Sequence, residues 1–139
     1  MTISFSVGEE EFTLSNNNAV WLGASLAIPI EGVTTLLPSQ VLAACDTFYA
    51  KTTGDYETDP NLVARIMELL PPVQSEATKK VLEQITGTVQ PISPTQDWGV
   101  LSDPNSLASR RWSLLQFYVG LLRDLANDAQ QQGEIIHLY

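Results

Sequence analysis

The sequence predicts an α+β fold, mainly α: four or five helices around a long C-terminal helix, with a small antiparallel sheet from an N-terminal hairpin and a C-terminal strand. Three observations carry that reading. Residues 3–14 alternate apolar and polar around a charged turn, as a half-buried hairpin does. Later stretches repeat apolar residues at three and four, bounded by capping residues, proline or glycine. After the last of them Gly133 breaks the chain, and Ile135-Ile136-His137-Leu138-Tyr139 reads as a strand.

In the hairpin, Ile3, Phe5 and Val7 alternate with Thr2, Ser4 and Ser6, and Phe12-Thr13-Leu14 resumes the pattern. Gly8-Glu9-Glu10-Glu11 forms the turn, and mutual repulsion sends its three glutamates to water. Ser15-Asn16-Asn17-Asn18 then offers side-chain acceptors to the free N–H groups of a helix start. That helix carries Ala19, Val20, Leu22 and Leu26 and stops at Ile28-Pro29. Pro38 suits a first helical position, Val41, Leu42, Cys45, Phe48 and Tyr49 supply the stripe, and Gly54 ends it.

Asp59-Pro60 reads as cap plus first-turn proline for a helix through Leu62, Val63, Ile66 and Leu69, halted by Pro71-Pro72. A short helix is expected over residues 75–86, then a loop over 88–101 pinned by Ile92, Trp98 and Val100. Asp103-Pro104 repeats the cap signal and opens a helix over 104–132, about 40 Å long at 1.5 Å per residue. Its expected core stripe is Leu107, Arg111, Leu114, Tyr118, Leu121 and Leu125, widened by Trp112, Leu115 and Leu122. The terminal strand is expected to join the hairpin in a three-stranded sheet, since a lone hairpin is marginal in water.

Leu14-Ser15-Asn16-Asn17-Asn18-Ala19 before a helix resembles the Leu-Ser-Asn-Ala-Asn-Ala start of a group of small bacterial and phage-encoded proteins that end in a long amphipathic helix, a glycine and a terminal strand. The resemblance covers residues 12–50 and 105–139. It departs at Asn17, where the group usually has alanine, and at His137, where it often has tryptophan. It implies an architecture and brings no activity or catalytic residues with it.

Length and a 44% hydrophobic content fit a single globular domain, residues 1–139, with a real core. No apolar run approaches a membrane span, and the first residues lack a signal peptide's basic region. One cysteine excludes an internal disulfide, so a cytoplasmic protein is expected. The net charge of −9 repels phosphate backbones, which speaks against nucleic acid as a partner. Residues 1–76 hold ten acids against two bases, a balance of −8 that would steer a basic protein toward this half.

Asp55, Glu57 and Asp59 place oxygen ligands at alternate positions, as a calcium loop begins. That chemistry demands glycine at the sixth position and glutamate at the twelfth, where Pro60 and Ile66 stand, so a solvated loop capped by Asp59 is the better reading. Cys45 and His137 could form a thiolate–imidazole pair only if Cys45 left its apolar stripe. No Gly-x-Ser-x-Gly elbow, phosphate loop or Cys-x-x-Cys is present, so no catalytic residues and no cofactor are expected. Glu9, Glu10, Glu11, Trp98, Arg110 and Arg111 are the candidate partner-binding residues: the first three by charge, the others as a loop tryptophan and a basic–aromatic cluster, although helical periodicity favours Trp112 in the core with the arginines bridging to acidic loops.

Three function classes follow. The first is a non-catalytic acidic interaction protein, an inhibitor, immunity or regulatory factor with a basic protein partner. The second is a structural subunit, a homo-oligomer such as a homodimer joined through the long helix or the edge of the terminal strand. The third is a small carboxylate- or metal-dependent enzyme working at the 55–61 loop.

Overall fold

The computed structural model describes residues 1–70, 101 and 103–139. It shows the predicted class: an α+β chain, mainly helical, with a long C-terminal helix and a small antiparallel sheet. Two compact units are formed, one by Met1–Lys51 with Phe117–Tyr139, the other by Thr52–Gln116.

In the first unit, β1 (Thr2–Val7) turns into β2 (Glu10–Ser15) with Val7 opposite Glu10, so the turn itself is only Gly8 and Glu9. Gly8 has φ +59°, which a two-residue hairpin turn needs at its first position. The sequence reading placed Glu10 and Glu11 in the turn; both belong to the strand. Phe5 and Val7 are buried, and Phe5 stacks on Phe12 with ring centroids 4.8 Å apart.

Ser15 caps α1 (Asn16–Leu26), its side chain accepting from Asn18 N at 3.2 Å. The helix ends earlier than Pro29. Ala27 adopts a left-handed conformation, φ +55°, and two N–H groups bond back: Ala27 to Ala24 O and Ile28 to Gly23 O. The same closure ends the last helix, where Gly133 (φ +67°) bonds to Gln130 O and Glu134 to Ala129 O.

Strand β3 (Thr35–Leu36) was not foreseen, being too short to show an alternation. It pairs with β4 (Ile136–Leu138), which also pairs with β1, giving the order β2-β1-β4-β3. The terminal strand therefore lies inside the sheet and offers no open edge. Helix α2 (Pro38–Thr52) follows β3 and buries Val41, Cys45 and Phe48.

Helix α4 (Leu107–Gln132) supplies residues to both units. Within the first unit, Asn18 Nδ2 donates to Tyr118 Oη at 3.2 Å, Trp21 meets Tyr118 edge-on, and the Arg123 guanidinium lies 5.3 Å from the Tyr49 ring centroid. Its buried residues there are Val119, Leu122, Leu125, Ala126 and Ala129, while Tyr118 and Leu121 are half-buried. Leu125 and Leu122 were both in the expected stripe, so the buried face is rotated toward its Leu122 flank by less than the ~100° of one residue. Leucines stand on both flanks of α4, and spacing alone does not say which flank meets the sheet and helices.

In the second unit, Asp59 caps α3 (Pro60–Leu69), its carboxylate accepting from Asn61 N at 3.0 Å and Leu62 N at 3.2 Å. Leu62 and Ile66 are fully buried. Helix α4 starts three residues later than expected. Asp103 Oδ1 accepts from Asn105 N and its carbonyl from Ser106 N, closing a turn, and Ser106 Oγ then caps the helix by accepting from Ser109 N at 3.1 Å. Trp98 and the helix expected over 75–86 lie outside the described residues.

Candidate functional site

Strand alternation decides where the tip glutamates point. Glu10 stands opposite Val7 and shares the face of Phe12 and Leu14; Glu11 stands opposite Ser6 and shares the face of Thr13. Glu9, Glu10 and Glu11 are all exposed, as expected, yet two of them have partners. The Tyr139 hydroxyl donates to Glu11 Oε2 at 2.6 Å, which raises the phenol's pKa because the carboxylate holds its proton. Glu10 hydrogen-bonds the Asp128 carboxyl on α4, and this bond together with mutual repulsion raises the Glu10 pKa.

The end of α4 adds to this surface. A β-carbon at Gly8 would lie 3.8 Å from Gln132 Oε1 and 3.9 Å from Glu134 Oε2. The hairpin tip thus meets the C-terminal, partially negative end of a 26-residue helix, beside Asp128 and Glu134. Little offsets this charge. Residues 1–50 contain no Lys, Arg or His, and the whole first unit sets eight acids against Lys51 and Arg123.

The other sequence candidates do not join this patch. Arg110 is exposed, but Arg111 is only 1% accessible and Trp112 only 3%, so the basic–aromatic cluster is not a docking face. Helical geometry turns 111 and 112 inward together, and Trp112 Nε1 donates to Tyr56 Oη at 2.8 Å within the second unit. Arg111 therefore presents no guanidinium to a partner.

Asp55 accepts from Glu57 N at 2.9 Å, and Asp59 caps α3 while approaching Arg65 at 3.8 Å. These carboxylates hold their own backbone in shape, and among the described residues no three metal-ligating side chains converge. Cys45 is buried, and that burial pushes its thiol up to about 11, so it is protonated at neutral pH. His137 is exposed on β4. One group is interior and the other exterior, so they form no nucleophile–base pair.

A shallow cavity of about 310 Å³ lies beside α1, lined by Val20, Ala24, Ile28, Pro29, Ile30 and Glu31. Its walls are apolar apart from Glu31. Among the described residues no helix is long and apolar enough to cross a membrane.

Comparison of the chain with protein-family models, with curated proteins and with solved structures gives no match. Sequence reasoning found Glu9, Glu10 and Glu11 but missed Asp128, Glu134 and Tyr139. Those three stand more than a hundred residues away from the turn, and only strand pairing and helix placement bring them to it.

Proposed function

We propose that this chain is a non-catalytic interaction protein, an inhibitor, immunity or regulatory factor, whose acidic hairpin end docks on a basic surface of a protein partner. The observation that carries the reading is the Glu10–Asp128 contact. The two side chains meet at the exposed hairpin end, where hydrogen bonding to Asp128 raises the Glu10 pKa, with no Lys, Arg or His in the first fifty residues. A lysine or arginine arriving there offsets the repulsion between the two carboxyl groups, so binding converts repulsion within the protein into attraction across an interface. Binding then weakens as pH falls and Glu10 takes up a proton. A single cysteine, free and buried, supports a cytoplasmic location.

The test is affinity capture from lysate of the native source with the wild-type chain and with Glu9, Glu10 and Glu11 all changed to lysine, at low and high salt. The expected result is a basic protein retained by the wild type at low salt, and lost both at high salt and to the variant. Recovery of the same proteins by the variant, with unchanged salt dependence, removes the acidic end as the docking surface.

A second reading, a homo-oligomer, draws on Phe117, which is 59% exposed on α4. Sedimentation at tens of micromolar separates the two, since Phe117→Asp would dissociate such an oligomer and leave a monomer unaffected.

A further inference from the structure

We propose that the open edge of β2 is a strand-docking site for an extended, lysine- or arginine-bearing segment of the partner; this rests on the acidic-interface reading above and adds how the partner is held. The backbone pairing points to it. Ser4 spends its N–H and its C=O on Tyr139, at 2.8 and 3.1 Å. Antiparallel strands alternate hydrogen-bonded and non-bonded pairs on each side, so Ser4 and Thr13 face each other as a non-bonded pair. The N–H and C=O of Thr13 therefore point away from β1. Glu11, two residues along, has the same phase. β2 is the last strand in the sheet order, so this edge is unpaired among the described residues.

Apart from its charge, the edge lacks the usual guards against strand addition. Proteins blunt such edges with proline, a bulge, lysine or very short strands. β2 has six residues without proline or lysine, and its register runs unbroken from Thr2↔Ser15 to Val7↔Glu10. The opposite edge, β3, has only two residues. What the β2 edge does carry is negative charge at one end, from Glu9, Glu10 and Glu11, with Asp128 beside them. Main-chain pairing holds an added strand, and flanking charge selects its sequence and register. A second copy of this chain is the wrong occupant, because it would bring another base-free, acidic N-terminal region against the first.

The experiment uses an alternating Lys-Val peptide of roughly eight residues, enough to span the six of β2. It is titrated into the full chain at low salt and followed by backbone amide NMR and hydrogen exchange. Binding is expected to shift and protect the Glu11 and Thr13 amides. The same peptide N-methylated at alternate nitrogens keeps its charge but loses strand pairing, and should bind about tenfold more weakly or worse. Thr13→Pro removes the outward N–H and should weaken binding similarly, whereas Thr13→Val keeps that N–H and should bind like the wild type. The methylated peptide needs no altered protein, so the test stands even if Thr13→Pro does not fold.

Equal binding of the methylated and parent peptides overturns strand docking. If the lysine triple variant still loses binding in that case, the acidic interface survives and only the docking mode falls. If the triple variant binds as the wild type does while methylation still abolishes binding, the charge reading falls and the edge stands. No binding by the parent peptide, or protection confined to another strand, overturns the proposal.

Discussion

Leu121 and Leu122 are neighbours on α4, and the sequence stripe and the structure rank them oppositely. Leu122 is fully buried and Leu121 half-buried, both within the first unit. Truncating Leu122 to alanine removes three buried carbons, about 2.4 kcal/mol at ~0.8 each. The cavity left behind raises the total into the range of ~2–5 kcal/mol. Leu121 is only partly buried, with up to about a third of that surface already wet, so the transfer loss is about 1.5–2 kcal/mol and little cavity is left behind. Urea unfolding of each single variant is the assay. With a slope of about 2 kcal/mol per M, Leu122→Ala should lower the midpoint by ~1–2.5 M and Leu121→Ala by at most about 1 M. A larger loss at Leu121 than at Leu122 would mean that the buried face of α4 has been assigned to the wrong flank.

Ala27 holds a left-handed conformation that costs an L-residue roughly 1 kcal/mol, and the matching closure at the end of α4 uses Gly133. Ala27→Gly should therefore stabilise the protein by up to about 1 kcal/mol in urea unfolding, against the usual rule that glycine destabilises. Tyr56→Phe removes the acceptor of the Trp112 indole N–H and should cost about 1 kcal/mol, with a change in tryptophan emission. The raised Glu10 pKa gives a stability contribution that is complete below the ordinary glutamate value of 4.5 and fades as pH rises through the higher folded value. Glu10→Gln supplies a permanent donor to Asp128, so melting curves should show it more stable than the wild type at pH 7 and no better at pH 4.

Local punctuation in the sequence was legible because its physics is local. Ser15 caps α1 and Asp59 caps α3 through bonds to N–H groups two or three residues on, and Gly133 closes α4 by a conformation that only its own backbone decides. The hairpin was equally plain, since alternation from Ile3 to Leu14 requires one wet face. The Asp103-Pro104 signal misled because aspartate also closes a turn on its own, leaving Ser106 to cap the helix. The composition likewise pointed to an acidic N-terminal half before any geometry was known.

Tertiary structure decided the rest. Spacing could not choose between the Leu121 and Leu122 flanks of α4, because both are apolar and the choice depends on what packs there. Arg111 stood both on the expected core stripe and in a candidate docking cluster, and only helix placement decides that it is buried. Strand β3 exists only because β4 lies alongside to bond it. The tip carboxylates were visible as three adjacent letters, but their pairing with Asp128 and Tyr139 required the two ends of the chain to meet. Capping and turn formation draw on interactions a few residues long, which a sequence displays directly. The charge and hydrogen-bonding state of a surface depends on groups brought together through space, which only the folded chain supplies.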